Sequence, residues 1–282
     1  MILMEHLRGK LEKNLVKMCD EFPGVMGISL KSLETDRIHI FVNGDETFPI
    51  GSMIKVPILV EFFRRVEAGS LDGSRIYTYK KEHMVGGSGV IQYLSPDEVV
   101  MPLIDYATLM INVSDNVATN IIIDLLGTEK INQTLNDLGL KTTIVQRKML
   151  DWESAAEGKE NISTPIEITQ LMSSLYNRVG LSSNVCVNTL EILKKPKTGF
   201  IRNSVPITIE IADKWGTVKG AVCDVGIVFL PKLPYIITVM TKHIPISDVK
   251  NANTISVIKT ISKLVYDFFL ELSLATGYGR KI

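Results

Sequence analysis

Cysteine is scarce in this chain: Cys19, Cys186 and Cys223 are the three among 282 residues, far apart and without a CxxC pair. So odd and dispersed a set excludes a disulfide framework, and buried reduced thiols are expected instead. Histidine is equally thin. His6, His39, His83 and His243 are scattered, so the ligating side chains give no reason to expect a metal or an organic cofactor. Excess charge is missing too, with 31 Lys plus Arg against 31 Asp plus Glu. That balance leaves no basic footprint for nucleic acid and no acidic tail, so a partner must be argued from a local site. Long apolar runs are absent: Pro231, Lys232 and Pro234 break the best candidate, VGIVFLPKLPYIITVM, and no membrane span is expected. The opening MILMEHLRGKLEKNLVKM is interrupted by Glu5, His6, Arg8 and Lys10, which makes it an amphipathic helix rather than a secretion signal. The chain as it stands is expected in the cytoplasm, or as secreted or periplasmic where a leader has been removed.

What is present is an ordinary globular composition, 45% apolar and 22% charged. The length suffices to bury a sizeable core in one large domain. GVMGISLKSLE and DRIHIFVNG alternate around a turn at Glu34 to Asp36 and read as a hairpin. From Ser52 to about Leu193 the period becomes helical, with Gly closing several segments. VPITIEIADKWG, AVCDVGIVFL and YIITVMTKH then return to strand character, and NTISVIKTISKLVYDFFLELSLA ends the chain as an amphipathic helix. This order predicts an α+β fold: an antiparallel sheet from both chain ends, flanked by terminal helices, with an all-helical lobe inserted. The expected organisation is a single domain over 1–282, its sheet lobe 1–48 and 196–282 and its helical lobe 49–195.

Within FPIGSMIKVPILVEFF, Ser52 and Lys55 stand three apart at a predicted helix start. The same Ser-x-x-Lys spacing recurs at Ser247 and Lys250 and at Ser256 and Lys259, where a solvated helix face accounts for it. Context separates the first pair. Positions i and i+3 share a helix face, so a Lys amine can reach the Ser oxygen, and burial lowers the amine's affinity for its proton. Free N–H groups at the helix start add a donor for a developing oxyanion. Two further segments follow in order: MINVSDNVATN, with Ser114, Asp115 and Asn116, and ADKWGTVKGAVCDVGIVF, with Lys214 and Gly216.

Together the three segments resemble the Ser-x-x-Lys, Ser-Asp-Asn and Lys-Thr-Gly set of class A β-lactamases and penicillin-binding proteins. GGSGV, LMINVSDNVATNIIIDLLG and TLNDLGLKTT extend the resemblance to roughly residues 20 to 275. It implies that Ser52 is acylated, that Lys55 relays its proton and that Ser114 passes a proton to the departing lactam nitrogen. It further implies that Asn116 donates to the substrate's side-chain amide and Lys214 holds its carboxylate, with Gly216 in the same motif. The N–H groups of Ser52 and Thr217 would form the oxyanion hole. The implied partner is a small molecule, a β-lactam or a related amide or ester.

Three departures from the pattern stand out. Trp215 replaces the usual hydroxyl residue, leaving Thr217 to supply it and Trp215 to reshape the pocket edge. Asp224 and Val225 stand where an Arg often reads the substrate carboxylate. In the loop that carries the family's water-activating Glu, the strict position falls on Met149, and LDWE offers Asp151 or Glu153 after a short shift, between Arg147 and Asn161 at the loop's ends. Three functions are therefore carried forward: a β-lactamase, an esterase or amidase of the same fold, and a penicillin-binding module that is acylated without efficient turnover.

Overall fold

Strand-like and helical periods alternate along the chain, and the computed structural model, which describes residues 2–276, 279 and 280, follows that order with two shifted starts. Met1, the first residue of the expected amino-terminal helix, lies outside the described residues. In chain order the main elements are helix α1 (Ile2–Asp20), strands β1 (Val25–Ser32) and β2 (His39–Val42), and helices α2 (Lys55–Glu67), α3 (Leu103–Asn112), α4 (Asn116–Leu126) and α5 (Thr128–Asp137). Helices α6 (Trp152–Ala156), α7 (Pro165–Asn177) and α8 (Ser183–Lys194) follow. Strands β3 (Ile211–Val218), β4 (Ala221–Val228) and β5 (Tyr235–Lys242) and helix α9 (Ala252–Leu274) complete the α+β order. Among the described residues no helix is long and apolar enough to cross a membrane.

Two compact units result: Met1–Met53, Ser163–Ser173 and Thr198–Ile282 form one, Ile54–Ile162 and Ser174–Lys197 the other. The first holds a five-stranded antiparallel sheet in the order β2-β1-β5-β4-β3. β1 and β5 pair from Val25 against Lys242 to Ser32 against Tyr235, joining the two ends of the chain. All eight residues of β4 are buried, as are seven of the eight in β5. That explains why these central strands read as near-continuous apolar runs. Leu15 of α1 and Ile258, Ile261 and Val265 of α9 share one core with Ile28 and Ile237 of the sheet. Phe269 of α9 stacks on Tyr235 with ring centroids 4.2 Å apart. The third sheet segment, expected to begin near Val205, becomes a strand only at Ile211. Pro206 cannot donate to a ladder, and its carbonyl instead accepts the N–H of Ile209 in a turn.

The second unit is built around α2, whose first nine residues, Lys55 to Phe63, are all buried. A helix apolar on every side belongs at a centre, and α3, α4, α5 and α8 pack around it. Pro57 falls in its first turn, where the missing N–H has no intrahelical partner to lose. The α-helix begins at Lys55 rather than at Ser52, because residues Gly51–Ile54 form a tighter 3₁₀ turn leading into it. Glu61, buried on α2, is answered by Thr134 Oγ1 at 2.6 Å and by Arg65 Nε at 3.4 Å.

Phe269→Ala removes a fully buried ring from the sheet unit's core, and truncations of this kind cost about 3–5 kcal/mol. Urea denaturation followed by circular dichroism should show a loss of that size; a change within experimental error would mean that the stack on Tyr235 contributes no packing energy.

Candidate active site

In the sheet unit, Gly216 is where β3 meets the turn that carries Ser52. A Cβ on Gly216 would lie 2.3 Å from the carbonyl oxygen of Ile50, 2.6 Å from the nitrogen of Met53 and 2.8 Å from that of Ser52. On the other side of the contact Gly51 has φ +48°, and a Cβ there would sit 2.8 Å from the oxygen and 3.0 Å from the nitrogen of Thr217. Two glycines thus let two main chains touch with no side chain between them. The N–H groups of Ser52 and Thr217 become neighbours beside a half-buried hydroxyl. Such a pair is the donor set that a developing oxyanion needs.

Lys214, two residues before Gly216, leaves β3 on the same face. It is buried, its Nζ donates to the carbonyl of Trp215 at 2.7 Å and lies 5.2 Å from the Trp215 ring centroid. Trp215 itself is on the opposite face, shared with its cross-strand partner Asp224. Its indole N–H donates to the carbonyl of Thr198 at 2.8 Å, and its ring packs 5.4 Å from that of Phe200. The indole is therefore directed at residues 198–200 rather than at residues 50–53. Thr217 is exposed on the edge strand.

In the helical unit, Lys55, Ser114 and Asn116 converge. The fully buried ammonium of Lys55 donates to the carbonyl of Ser114 at 2.7 Å, to its hydroxyl at 3.1 Å and to Oδ1 of Asn116 at 3.0 Å. Ser114 has φ 53°, a left-handed conformation that a serine adopts only when its surroundings impose it. The imposing group is Asp115, which is buried and caps α4 by accepting the N–H of Ala118 at 3.0 Å. Its other carboxylate oxygen accepts the N–H groups of Val90 at 2.7 Å and Ile91 at 2.9 Å. Gly89, with φ +111°, has to be glycine, since a Cβ would fall 2.3 Å from Oδ2 of Asp115. Asn116 closes the arrangement by donating its side-chain N–H to the carbonyl of Gly86 at 3.0 Å.

The loop between Arg147 and Glu160 is pinned at its neck by Asn161. Oδ1 of Asn161 accepts the N–H groups of Gln146 and Arg147 at 2.8 and 3.1 Å, and its Nδ2 donates to the carbonyl of Arg147 at 3.0 Å. Arg147 adds a bidentate pair to Glu160, its Nη2 at 2.8 and 2.9 Å. Midway, Asn120 imitates a peptide: its Oδ1 accepts the N–H of Met149 at 2.8 Å and its Nδ2 donates to the Met149 carbonyl at 3.2 Å. Asp151 is committed to capping α6, accepting from Ser154 N at 3.0 Å and Ser154 Oγ at 2.8 Å. These bonds hold its carboxyl below the usual carboxylate range. Glu153 is exposed. Ser52, Gly216 and Thr217 are thus brought together in one unit and Lys55, Ser114 and Asn116 in the other, while Asp151 and Glu153 join neither set.

Asp115, Asn120 and Gly89 carry no assigned role from sequence, although Asp115 stands within the Ser-Asp-Asn motif and Gly89 within GGSGV. Among the described residues no group of three His, Cys, Asp or Glu side chains is placed to hold a metal ion.

A model of the beta-lactamase enzyme family matches residues 10–269. The chain is similar to the beta-lactamase VEB-1 of Pseudomonas aeruginosa, 23% identical over 266 residues that cover 87% of this chain and 86% of that one. It is similar to the beta-lactamase SME-1 of Serratia marcescens at 27% identity over 259 residues, covering 86% and 85%. Among solved structures it resembles PBP-A with a TM-score of 0.82 at 28% identity, over 93% of this chain and 96% of that one. A mutant of PBP-A was solved as an acyl-enzyme complex with penicillin G. With the family match spanning nearly the whole chain and both motif sets assembled, this chain belongs to the beta-lactamase enzyme family.

Proposed function

We propose that this protein opens β-lactam amides through an ester on Ser52 and releases the product more slowly than it forms the ester. The observation that carries the reading is the buried Lys55 ammonium bonded to the hydroxyl of Ser114 and the amide of Asn116. In the proposed reaction Ser52 Oγ bonds to the lactam carbonyl carbon, the N–H groups of Ser52 and Thr217 take the charge on its oxygen, and the ring C–N bond breaks. In the relay Lys55 gives one of its protons to the Ser114 oxygen as the Ser114 hydroxyl proton passes to the lactam nitrogen, and the amine so freed takes the Ser52 hydroxyl proton, so the step balances. Lys214 holds the substrate carboxylate, and the second N–H of Asn116 Nδ2 meets its side-chain amide.

Slow release is a second element of the reading, favoured by the loop. Hydrolysis of the ester needs a general base to activate water, a part that the family gives to a carboxylate. Met149 fills the family's position for it, Asp151 is engaged as a helix cap and Glu153 is exposed. This supports a penicillin-binding behaviour over rapid turnover.

Ser52→Ala should abolish labelling by a fluorescent penicillin while Ser256→Ala labels like wild type; equal labelling of both variants would exclude Ser52 as the nucleophile. Gly216→Ala drives a Cβ into the Ile50–Met53 backbone and should slow acylation by about 100-fold, the order of an oxyanion donor's contribution. Stopped-flow acylation with penicillin G checks this, and a wild-type rate would mean that the contact is irrelevant to the chemistry. Intact-protein mass spectrometry with a chromogenic cephalosporin should give one burst and a lasting adduct. Met149→Glu should shorten the adduct's lifetime at least about tenfold, within the usual range for an added general base, whereas Asp151→Asn and Glu153→Gln should leave it unchanged; a shorter wild-type lifetime that either of these variants prolongs would restore that residue as the base.

A further inference from the structure

Behind the strand pair β3 and β4 lies a cluster of charged side chains that acylation does not use directly. Asp224 is wholly buried on β4, and one of its carboxylate oxygens accepts the N–H groups of Phe200 and Ile201, both at 2.9 Å. Its other oxygen, Oδ1, is buried without a hydrogen-bond partner. Asp213, on β3, is opposite Gly226 in register and hence diagonal to Asp224 on the same face. Arg202 reaches Asp213 Oδ1 with Nη2 at 2.6 Å and Nε at 3.0 Å. A Cβ on Gly199 would fall 2.3 Å from Asp213 Oδ2, so residues 199–202 are laid directly over the acidic pair. Lys214, on the front of the same edge strand, is the nearest cation besides Arg202.

Two carboxylates this close in a dry site cannot both ionise freely. Arg202 bonds to Asp213 Oδ1, and the bare Oδ1 of Asp224 is where a proton would sit. The charged groups that act on Asp224 are Asp213 on the same face of β3, Arg202 on the overlying segment and Lys214 through the sheet from its front. Val239, its partner on β5, is apolar, and the adjacent Cys223 thiol, with its pKa pushed up to about 12 by burial, brings no charge. We infer that Asp224 is a positioning residue for charge: its protonation state, read across one strand of the sheet at Lys214, sets how strongly the enzyme prefers anionic over neutral substrates. With Asp224 neutral, Arg202 and Lys214 outweigh Asp213 by one positive charge; with Asp224 ionised, the cluster cancels. This rests on the proposed role of Lys214 as holder of the substrate's anionic group.

Physiological pH lies in the working range of the device. Burial first, and Asp213 second, push the Asp224 carboxyl up to about 7, against the pull of the Phe200 and Ile201 N–H groups and of Lys214. The cluster therefore loses one positive charge as pH rises through neutrality. A unit charge felt across roughly 10 Å, through one strand of the sheet, at an effective dielectric of about 20 changes capture of an anion roughly three- to tenfold after partial screening.

The test compares acylation of Ser52 by penicillin G and by its methyl ester, which lacks the anionic group, across pH. The ratio of the two rates cancels any titration of Lys55. In the wild type this ratio should fall roughly three- to tenfold as pH rises through 7. Asp224→Asn keeps an oxygen for the Phe200 and Ile201 N–H groups, stays neutral and should hold the ratio at its low-pH value throughout. Stability gives a readout free of catalysis. A carboxyl whose folded pKa is raised above its unfolded value stabilises the fold at low pH and loses that share as pH rises through the folded value. Relative to Asp224→Asn, the wild type should therefore lose urea resistance between about pH 4 and pH 8. A flat wild-type ratio, or a variant that keeps the slope, overturns the inference, as does a stability difference independent of pH. The wild-type ratio decides the matter alone if the variant does not fold. Absence of any Ser52 adduct is a different failure, which removes the acylation reading and this one with it.

Discussion

Asp115 answers three main-chain N–H groups from two stretches of chain, those of Val90 and Ile91 on one carboxylate oxygen and that of Ala118 on the other. A buried carboxylate without such donors would be costly, so the fold supplies them or fails locally. Supplying them aligns the start of α4, brings the 86–91 loop against it and leaves Ser114 in a left-handed conformation with its carbonyl and hydroxyl both presented to Lys55. The ammonium of Lys55 in turn needs those oxygens, because α2 around it is apolar. Each charge is tolerated through the other's neighbourhood, and the polar groups that do chemistry are the same ones that make burial bearable.

Much of this could be read from the residues in order. The shift from period two to a helical period and back locates the sheet ends and the inserted helices, since burial of one face imposes those periods. The Ser52, Ser114 and Lys214 segments were legible because each is a short local pattern. What could not be read is long-range or conformational. Nothing in the spelling of Val90 and Ile91 announces that their N–H groups end on Asp115, and nothing in Asn120 says that it grips Met149. Trp215 looked like an obstruction because its identity is visible and its face is not; register with Asp224 decides the face. Asp151 and Glu153 drew attention as carboxylates in a loop, yet Asp151 followed at the third position by Ser154 is also a cap signature. Apolar alternation suggests a strand from Val205, but Pro206 and the turn it makes with Ile209 delay β3 to Ile211.

The two halves of an ester cycle make different demands. Forming the ester needs a nucleophile, donors for its oxyanion and a proton relay, and these are held by contacts between backbones and by a buried ion. Breaking the ester needs one side chain aimed at a water. The loop around Met149 is secured by Asn161 at its neck and Asn120 at its middle, so on the proposed reading slow release would follow from which side chains the loop carries and not from a loose frame.

The pairing of β1 with β5 has a further consequence during synthesis. The strand beside the first hairpin is Tyr235–Lys242, more than two hundred residues downstream, so the hairpin's partner is made only after the whole helical unit. Until then β1 presents an apolar open edge, the kind that seeks other strands. The helical unit, nearly complete at Lys197, can form its contacts while that edge waits. A ribosome stalled before Tyr235 would release a chain with a folded helical part and a sticky hairpin, a substrate for chaperones and proteases rather than a smaller working enzyme.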